Sequence, residues 1–238
     1  MSRILSNPRS FRLIFVLSIF FFSCSLFSII DNHGDPEIAM KIQGVKISIV
    51  QGDITRQVDL EYQDAIVNPA NQNLRRGGGV CGAIFAKAGL KLTFECNKLL
   101  KSFKDNKVSV GNSVITSGCL FDSRIIHVVP PNFNPNNVMQ PSISFDKTGK
   151  EILEKSYVSL LRLANKENIK KVAVPFLSGG NFCRVPSDRS ELASIALESV
   201  IDFCKHEVKD GSLQEIRFVL YSDEEYNLFI NEFYHYNN

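Results

Sequence analysis

Short, evenly apolar runs recur along the chain, and they limit its architecture more than any other feature. They are VKISIV at residues 45–50, AIV at 65–67, RIIHVV at 124–129, KVAVP at 171–175 and IRFVLY at 216–221, with residues 113–116 as a further strand. A strand with little polar alternation must be covered on both faces, as in a largely parallel sheet between helical layers. Helical spacing fills the gaps between the runs. It is found at residues 80–99 after a glycine start, at 151–165 and at 189–205, and a closing helix is predicted over 224–234. In 151–165 the residues Leu153, Leu160 and Leu161 belong to one broad apolar stripe. Strands alternating with helices predict α/β layering in three layers. Residues 130–141 hold four prolines and four asparagines and are predicted as a surface loop.

A length of 238 residues suits one domain and a short extra segment. The formal net charge of +2 is too balanced to make nucleic acid the main partner. The extra segment is N-terminal. Arg3, Arg9 and Arg12 precede residues 13–30, which carry no charge, and Asp31 and Asp35 follow. A basic stretch, an apolar run and then polar chain is the layout of a signal peptide or signal anchor. The expected division is residues 1–34 as that segment and 35–238 as the folded domain. The chain would then be secreted or membrane-anchored, with the domain on the non-cytoplasmic side. The six cysteines, 24, 81, 96, 119, 183 and 204, include no CxxC pair, so neither a metal site nor a bound cofactor is expected. Five of them fall in the domain, and an odd number argues against a disulfide framework.

Chemistry concentrates where strands end, which is where open α/β sheets bind ligands. Gly52-Asp53-Ile54-Thr55 follows the first run. Asp53 can accept from an exocyclic amine, or Asp53 or Thr55 can cap the N-terminus of a helix. Asn68-Pro69-Ala70-Asn71 follows the second, and Gly77-Gly78-Gly79-Val80-Cys81 then opens a helix. Three glycines before a helix expose backbone N–H groups to a phosphate or a ribose, and the helix N-terminus adds partial positive charge. The run lacks the GK[ST] ending of a triphosphate-binding loop. Pro175-Phe176-Leu177-Ser178-Gly179-Gly180-Asn181-Phe182 is a second loop of small residues at a strand end, and two such loops can clamp a diphosphate. Phe182 can cover a sugar or pack in the core. His127, inside an apolar strand, is read as a satisfied buried side chain. Cys81, at a helix start, is read as a passive small residue, with a lowered thiol pKa as the alternative.

Together these segments resemble the macrodomain family. The run DAIVNPANQNLRRGGGVCGAIFAKAG matches its asparagine-bearing strand end, glycine triplet and helix. QGDIT and IIHVVPP match further strand ends, and PFLSGGNF matches its second phosphate loop. The resemblance covers residues 45–233. It implies an α/β fold, a three-layer α/β/α macrodomain with a central mixed, mostly parallel sheet, and an ADP-ribose cleft at the strand ends. It places Asp53 on the adenine N6, the Ile54 amide on the ring nitrogen and Tyr221 on the adenine face. The diphosphate falls to Gly77, Gly78, Gly79 and Val80 with Ser178, Gly179, Gly180, Asn181 and Phe182. Asn71 holds the distal ribose and is the candidate catalytic residue. The chain departs from the family in having Cys81 where many active members carry Asp, Phe85 where they carry His, and Asn181 for an aliphatic residue. It looks closer to the viral-type, mono-ADP-ribosyl hydrolase branch. The implied function is binding of ADP-ribose with hydrolysis of mono-ADP-ribosyl groups from proteins or of O-acetyl-ADP-ribose. A non-catalytic ADP-ribose reader is the alternative, and an RNA- or poly(A)-binding module ranks third because of the charge. The expected partners are ADP-ribose or a mono-ADP-ribosylated protein, and a membrane through the N-terminal segment.

Overall fold

A computed structural model describes residues 25–30, 36–56, 63–208 and 213–236. Among the described residues, eight strands form one sheet: β1 (Ser25–Ile30), β2 (Pro36–Ile42), β3 (Val45–Gln51), β4 (Ala65–Pro69), β5 (Ser113–Thr116), β6 (Arg124–Val128), β7 (Lys171–Val174) and β8 (Glu215–Leu220). Their order is β1-β2-β3-β8-β7-β4-β6-β5. The five inner strands β3, β8, β7, β4 and β6 run parallel, while β2 and β5 join antiparallel at the two sides and β1 pairs antiparallel with β2.

The apolar runs are explained by helices on both faces. Helices α1 (Gly79–Ala88) and α2 (Leu90–Leu100) cover one face, where Ile66, Ile125, Ala173 and Val219 meet Ile84, Phe85, Leu92 and Cys96. Helices α3 (Lys147–Lys166), α4 (Arg189–His206) and α5 (Asp223–Tyr236) cover the other. There Val67, Ile126, Val174 and Phe218 pack against Leu160, Ala196, Phe229 and Phe233. Successive strand residues therefore enter different cores, and each is apolar for its own reason. The architecture is a mixed, mostly parallel sheet in a three-layer α/β/α sandwich.

Three elements differ from the sequence reading. The helix predicted over residues 80–99 is two helices, separated at Gly89, whose φ of 75° is open chiefly to glycine. Strand β2 was not predicted. It returns into β3 through Gln43 and Gly44, both at positive φ (49° and 85°), the backbone of a tight two-residue hairpin turn. Helix α3 starts earlier than residue 151, because the Asp146 carboxylate accepts from the Gly149 amide 3.0 Å away and caps the first turn.

Of the apolar N-terminal run, Ser25–Ile30 forms β1, and residues 13–24 lie outside the described residues. Among the described residues no helix is long and apolar enough to cross a membrane.

Candidate functional site

The parallel inner strands all end on the same side of the sheet, and the loops leaving them surround a cleft of about 470 Å³. Every residue assigned a ligand contact from the sequence lines it except Gly179. A Cβ on Gly179 would sit 2.1 Å from the Phe176 ring, so this glycine packs inward against the ring. Its carbonyl accepts from Arg189 Nε at 3.0 Å. Gly179 thus shapes the second loop from behind rather than facing the cleft. Gly180 has nothing within 4 Å of its Cβ position and opens directly to the space.

At one end, the turn after β3 is held by Asp53. Its Oδ1 accepts from the Thr55 amide at 2.9 Å and the Thr55 hydroxyl at 2.8 Å. Asp53 therefore holds the turn from Asp53 to Arg56 through Oδ1, and it also lines the cleft. Tyr221, first after β8 and 73% exposed, stands at the rim, where its ring face is available for stacking. Its amide donates to Glu225 Oε2 at 3.2 Å, and Glu225 lines the cleft from α5.

In the middle, the two glycine loops meet. A Cβ on Gly78 would lie 2.8 Å from Asn181 Nδ2, so the absence of a side chain at Gly78 is what lets the Asn181 amide approach the first loop. Gly79 has φ of +54° and carries the chain into α1. That helix begins with no side-chain cap and no acidic residue in its first turn. Its leading N–H groups and its partial positive charge are thus neither covered nor offset by a local carboxylate, which suits an anion. Ser178 takes a positive φ of 60° and donates from Oγ to the Pro131 carbonyl at 2.8 Å, pinning the second loop to the chain after β6.

At the other end, Asn71 is buried. Its Nδ2 donates to the Arg75 carbonyl at 2.7 Å and its Oδ1 accepts from the Arg75 amide at 3.2 Å. The side chain closes the loop leading to the glycine triplet, and one donor hydrogen and one acceptor lone pair remain on its amide. Cys81 lies close by, its Sγ 3.7 Å from the Arg75 carbonyl. Burial pushes the Cys81 thiol up, against the opposing hydrogen bonds from Gly77 and Asn68. Cys81 is therefore a passive small residue, as the sequence favours, and the alternative of a pKa lowered by the helix N-terminus is not found. Desolvation outweighs the helix end, and the thiol stays protonated.

His127 is fully buried beneath the site. Its Nδ1 is 2.9 Å from Asn68 Nδ2 and its Nε2 is 2.9 Å from the Thr116 hydroxyl. An amide N–H donating to Nδ1 places the ring proton on Nε2, donating to Thr116, which passes its own hydrogen to the Ser117 carbonyl at 3.1 Å. Phe85 packs against the ring at 6.4 Å between centroids. Burial lowers the His127 pKa to about 4, so the imidazole is neutral, a satisfied core group as read from the sequence.

Sequence reasoning missed Asn137, Met139 and Glu225 in the lining. The first two come from the proline- and asparagine-rich loop after β6, which is well structured. Asn132 Nδ2 donates to the Gln140 carbonyl at 2.8 Å, and Asn137 Nδ2 donates to the Asn181 carbonyl at 3.3 Å. Position after a strand end was the signal for that loop. Glu225 carried none beyond lying one helical turn past Tyr221. No cluster of three or more His, Cys, Asp or Glu fit for a metal occurs among the described residues.

The family model for the Macro domain matches residues 67–193. The chain is 36% identical over 185 residues to a macro domain-containing protein of Caldanaerobacter subterraneus subsp. tengcongensis, covering 77% of this chain and 93% of that protein. It is 32% identical over 185 residues to an O-acetyl-ADP-ribose deacetylase of Salmonella gallinarum, covering 77% of this chain and 92% of that protein. Among solved structures it superposes on the Oceanobacillus iheyensis macrodomain with ADP at a TM-score of 0.71 and 30% identity, covering 84% of this chain and 96% of the other. The Trypanosoma brucei macrodomain in complex with ADP-ribose gives a TM-score of 0.62 at 28% identity, covering 78% and 68%.

Proposed function

Because the chain belongs to the macro domain family, we propose that its cleft binds ADP-ribose and that it hydrolyses mono-ADP-ribosyl groups from proteins or O-acetyl-ADP-ribose. One observation carries the reading. The uncapped, acid-free N-terminus of α1 faces a second glycine loop across a cleft at the carboxyl ends of five parallel strands. Such a slot suits a diphosphate, and the groups on either side of it suit the two ends of ADP-ribose.

The adenine lies between Asp53 and Tyr221, its N6 donating to the Asp53 carboxylate and its ring nitrogen accepting from the Ile54 amide. The diphosphate sits between Gly77–Val80 and Ser178–Phe182. The distal ribose reaches Asn71, whose remaining amide valences hold its hydroxyls. On a mono-ADP-ribosylated protein, water attacks the anomeric carbon: its oxygen bonds to that carbon as the bond to the departing protein oxygen breaks, and its proton passes to that oxygen or to solvent. On O-acetyl-ADP-ribose the water attacks the acetyl carbonyl carbon instead, the ester C–O bond breaks, the ribose oxygen takes up a proton and acetate leaves. Among the described residues, Asp53, Cys81, Tyr221 and Glu225 are the titratable side chains that line the cleft, and Asp53 and Glu225 belong to the adenine end. Since Cys81 is protonated and His127 is sealed off, a phosphate oxygen of the ligand orients the water, and the diphosphate offsets positive charge developing on the ribose.

That no side-chain base stands beside the distal ribose among the described residues favours a second reading, a non-catalytic ADP-ribose reader. Incubating the full chain with a mono-ADP-ribosylated protein separates the two. Release of free ADP-ribose, cut severely in Asn71→Ala with binding only modestly weakened, supports the enzyme. Tight binding without release, in the wild type and in Cys81→Asp alike, supports the reader.

Since Ser25–Ile30 pairs with β2, the part of the apolar run behind the three arginines that directs the chain to a membrane is residues 13–24, a length suited to the apolar region of a signal peptide, which leaves the domain secreted or anchored on the non-cytoplasmic side. This rests on composition and charge order. Fractionation of the full chain tests it, and a full-length product recovered wholly from the cytosol with its N-terminus intact refutes it.

A further inference from the structure

Helix α2 buries Leu92, Cys96 and Leu100 and turns a second, unrelated face outward. On that face Leu90 is 78% exposed and Phe94 is 70% exposed, and the two lie one turn apart. Leu120, 73% exposed, joins them from the loop after β5, since its Cδ1 lies 3.5 Å from the Cβ position of Gly89 at the start of α2. Large apolar side chains grouped in the open mark an interaction site more often than they do singly.

The charge around them is one-sided. Residues 87–107 contain six lysines and two carboxylates, whereas the whole chain nets only +2. At 100° per residue, Leu90, Phe94, Lys98, Lys101 and Lys91 fall within an arc of roughly 100° on α2. All five are exposed. Of the two carboxylates, Glu95 points to the loop after β5, accepting from the Ser117 amide at 2.9 Å and hydroxyl at 2.6 Å. The same carboxylate lies 4.0 Å from Lys91 Nζ and offsets part of that lysine's charge, while Lys98 and Lys101 have no carboxylate within 4.0 Å among the described residues. Helix α1 enters the cleft at its other end, so this face is separate from the ligand site.

We infer that the face formed by Leu90, Phe94 and Leu120 with Lys91, Lys98 and Lys101 docks on an anionic lipid bilayer. Apolar side chains pointing out between flexible ammonium groups match an interface in which acyl chains lie just beneath phosphate headgroups. Two of the three apolar groups are aliphatic leucines, and residues 87–107 contain no arginine. Both facts favour lipid over nucleic acid, for which stacking aromatics and arginine would be expected.

The chain has no tryptophan, so Phe94→Trp makes a reporter of this face alone, whatever the N-terminal run does. The full chain with that substitution is mixed with vesicles of phosphatidylglycerol and phosphatidylcholine, with pure phosphatidylcholine vesicles, and with single-stranded RNA. Docking gives a blue-shifted emission that brominated acyl chains quench, on the anionic vesicles and much less on the neutral ones. Replacing Lys91, Lys98 and Lys101 together by Gln lowers the ratio of quenched to unquenched reporter on the order of 100-fold, from about one kcal/mol per lysine at an anionic surface. Leu90→Trp serves as a second reporter at an equally open position. Three outcomes overturn the inference: an unshifted, unquenched reporter on anionic vesicles, equal quenching on neutral ones, or a spectral change with RNA and none with lipid.

Discussion

Asp53 has two tasks that substitution can separate. Its Oδ1 accepts from the Thr55 amide and hydroxyl at 2.9 and 2.8 Å, so Asp53→Ala removes the cap of the turn together with any ligand contact. Asp53→Asn keeps an oxygen for Thr55, because asparagine caps about as well as aspartate, and sets an N–H2 where the second carboxylate oxygen was. An amide donor facing the adenine N6 donor makes no hydrogen bond. A hydrogen bond to a charged group contributes about 1.5–3 kcal/mol, so ADP-ribose affinity falls about 10- to 150-fold in Asp53→Asn. Its thermal midpoint stays near the wild type, while Asp53→Ala loses a similar affinity and about 1 kcal/mol of stability as well. Calorimetric titration with ADP-ribose and thermal melting of both variants decide the matter. Wild-type affinity in Asp53→Asn would refute the adenine assignment. A large loss of stability in Asp53→Asn would mean that the carboxylate charge, rather than an oxygen acceptor, holds the turn.

Two further outcomes follow from the packing. Gly179→Ala drives a methyl group into the Phe176 ring, which stacks edge-on against Phe229 at 4.9 Å between centroids, and the overpacked core loses about 1–3 kcal/mol, read as a lower urea midpoint. His127 is held neutral by burial, with its pKa lowered to about 4, while in the unfolded chain it titrates near its ordinary 6.5. The unfolded state then binds more protons, so the stability that His127 allows is complete above about pH 6.5 and is lost toward pH 4, at roughly 1 kcal/mol per pH unit. Denaturant melts across that window should show this slope in the wild type and a flatter one in His127→Gln.

The inner sheet was legible because parallel strands between two helical layers admit few polar residues, as residues 65–67 of β4 and 172–174 of β7 illustrate, whereas β8 buries Glu215 and Arg217 as an ion pair at 2.8 Å. Strand β2 was not, because Glu37 and Lys41 interrupt PEIAMKI, and an antiparallel strand near the side of a sheet tolerates them. The continuous apolar stripe through residues 80–99 hid the break at Gly89, since a backbone turn at positive φ leaves the spacing almost unchanged. In the site, the glycine loops, Asp53, Asn71 and Tyr221 could be found because strand ends and glycine runs are local signals. Asn137 and Met139 reach the cleft only through the hydrogen bonds that fold their loop over Asn181, and Glu225 only through the placement of α5 beside β8. Cys81 shows the same limit in its chemistry. Its position at a helix start was visible, whereas the burial that decides its protonation depends on the packed structure.

The most direct test of the ligand assignment is a calorimetric comparison of ADP-ribose, ADP and AMP on the full chain. If the diphosphate lies between the Gly77–Val80 and Ser178–Phe182 loops and the distal ribose reaches Asn71, affinity falls in the order ADP-ribose, ADP, AMP, with the largest step where the second phosphate is lost. Equal affinity for AMP and ADP-ribose would mean that the cleft holds an adenine nucleotide without using the two loops, and would contradict the assignment.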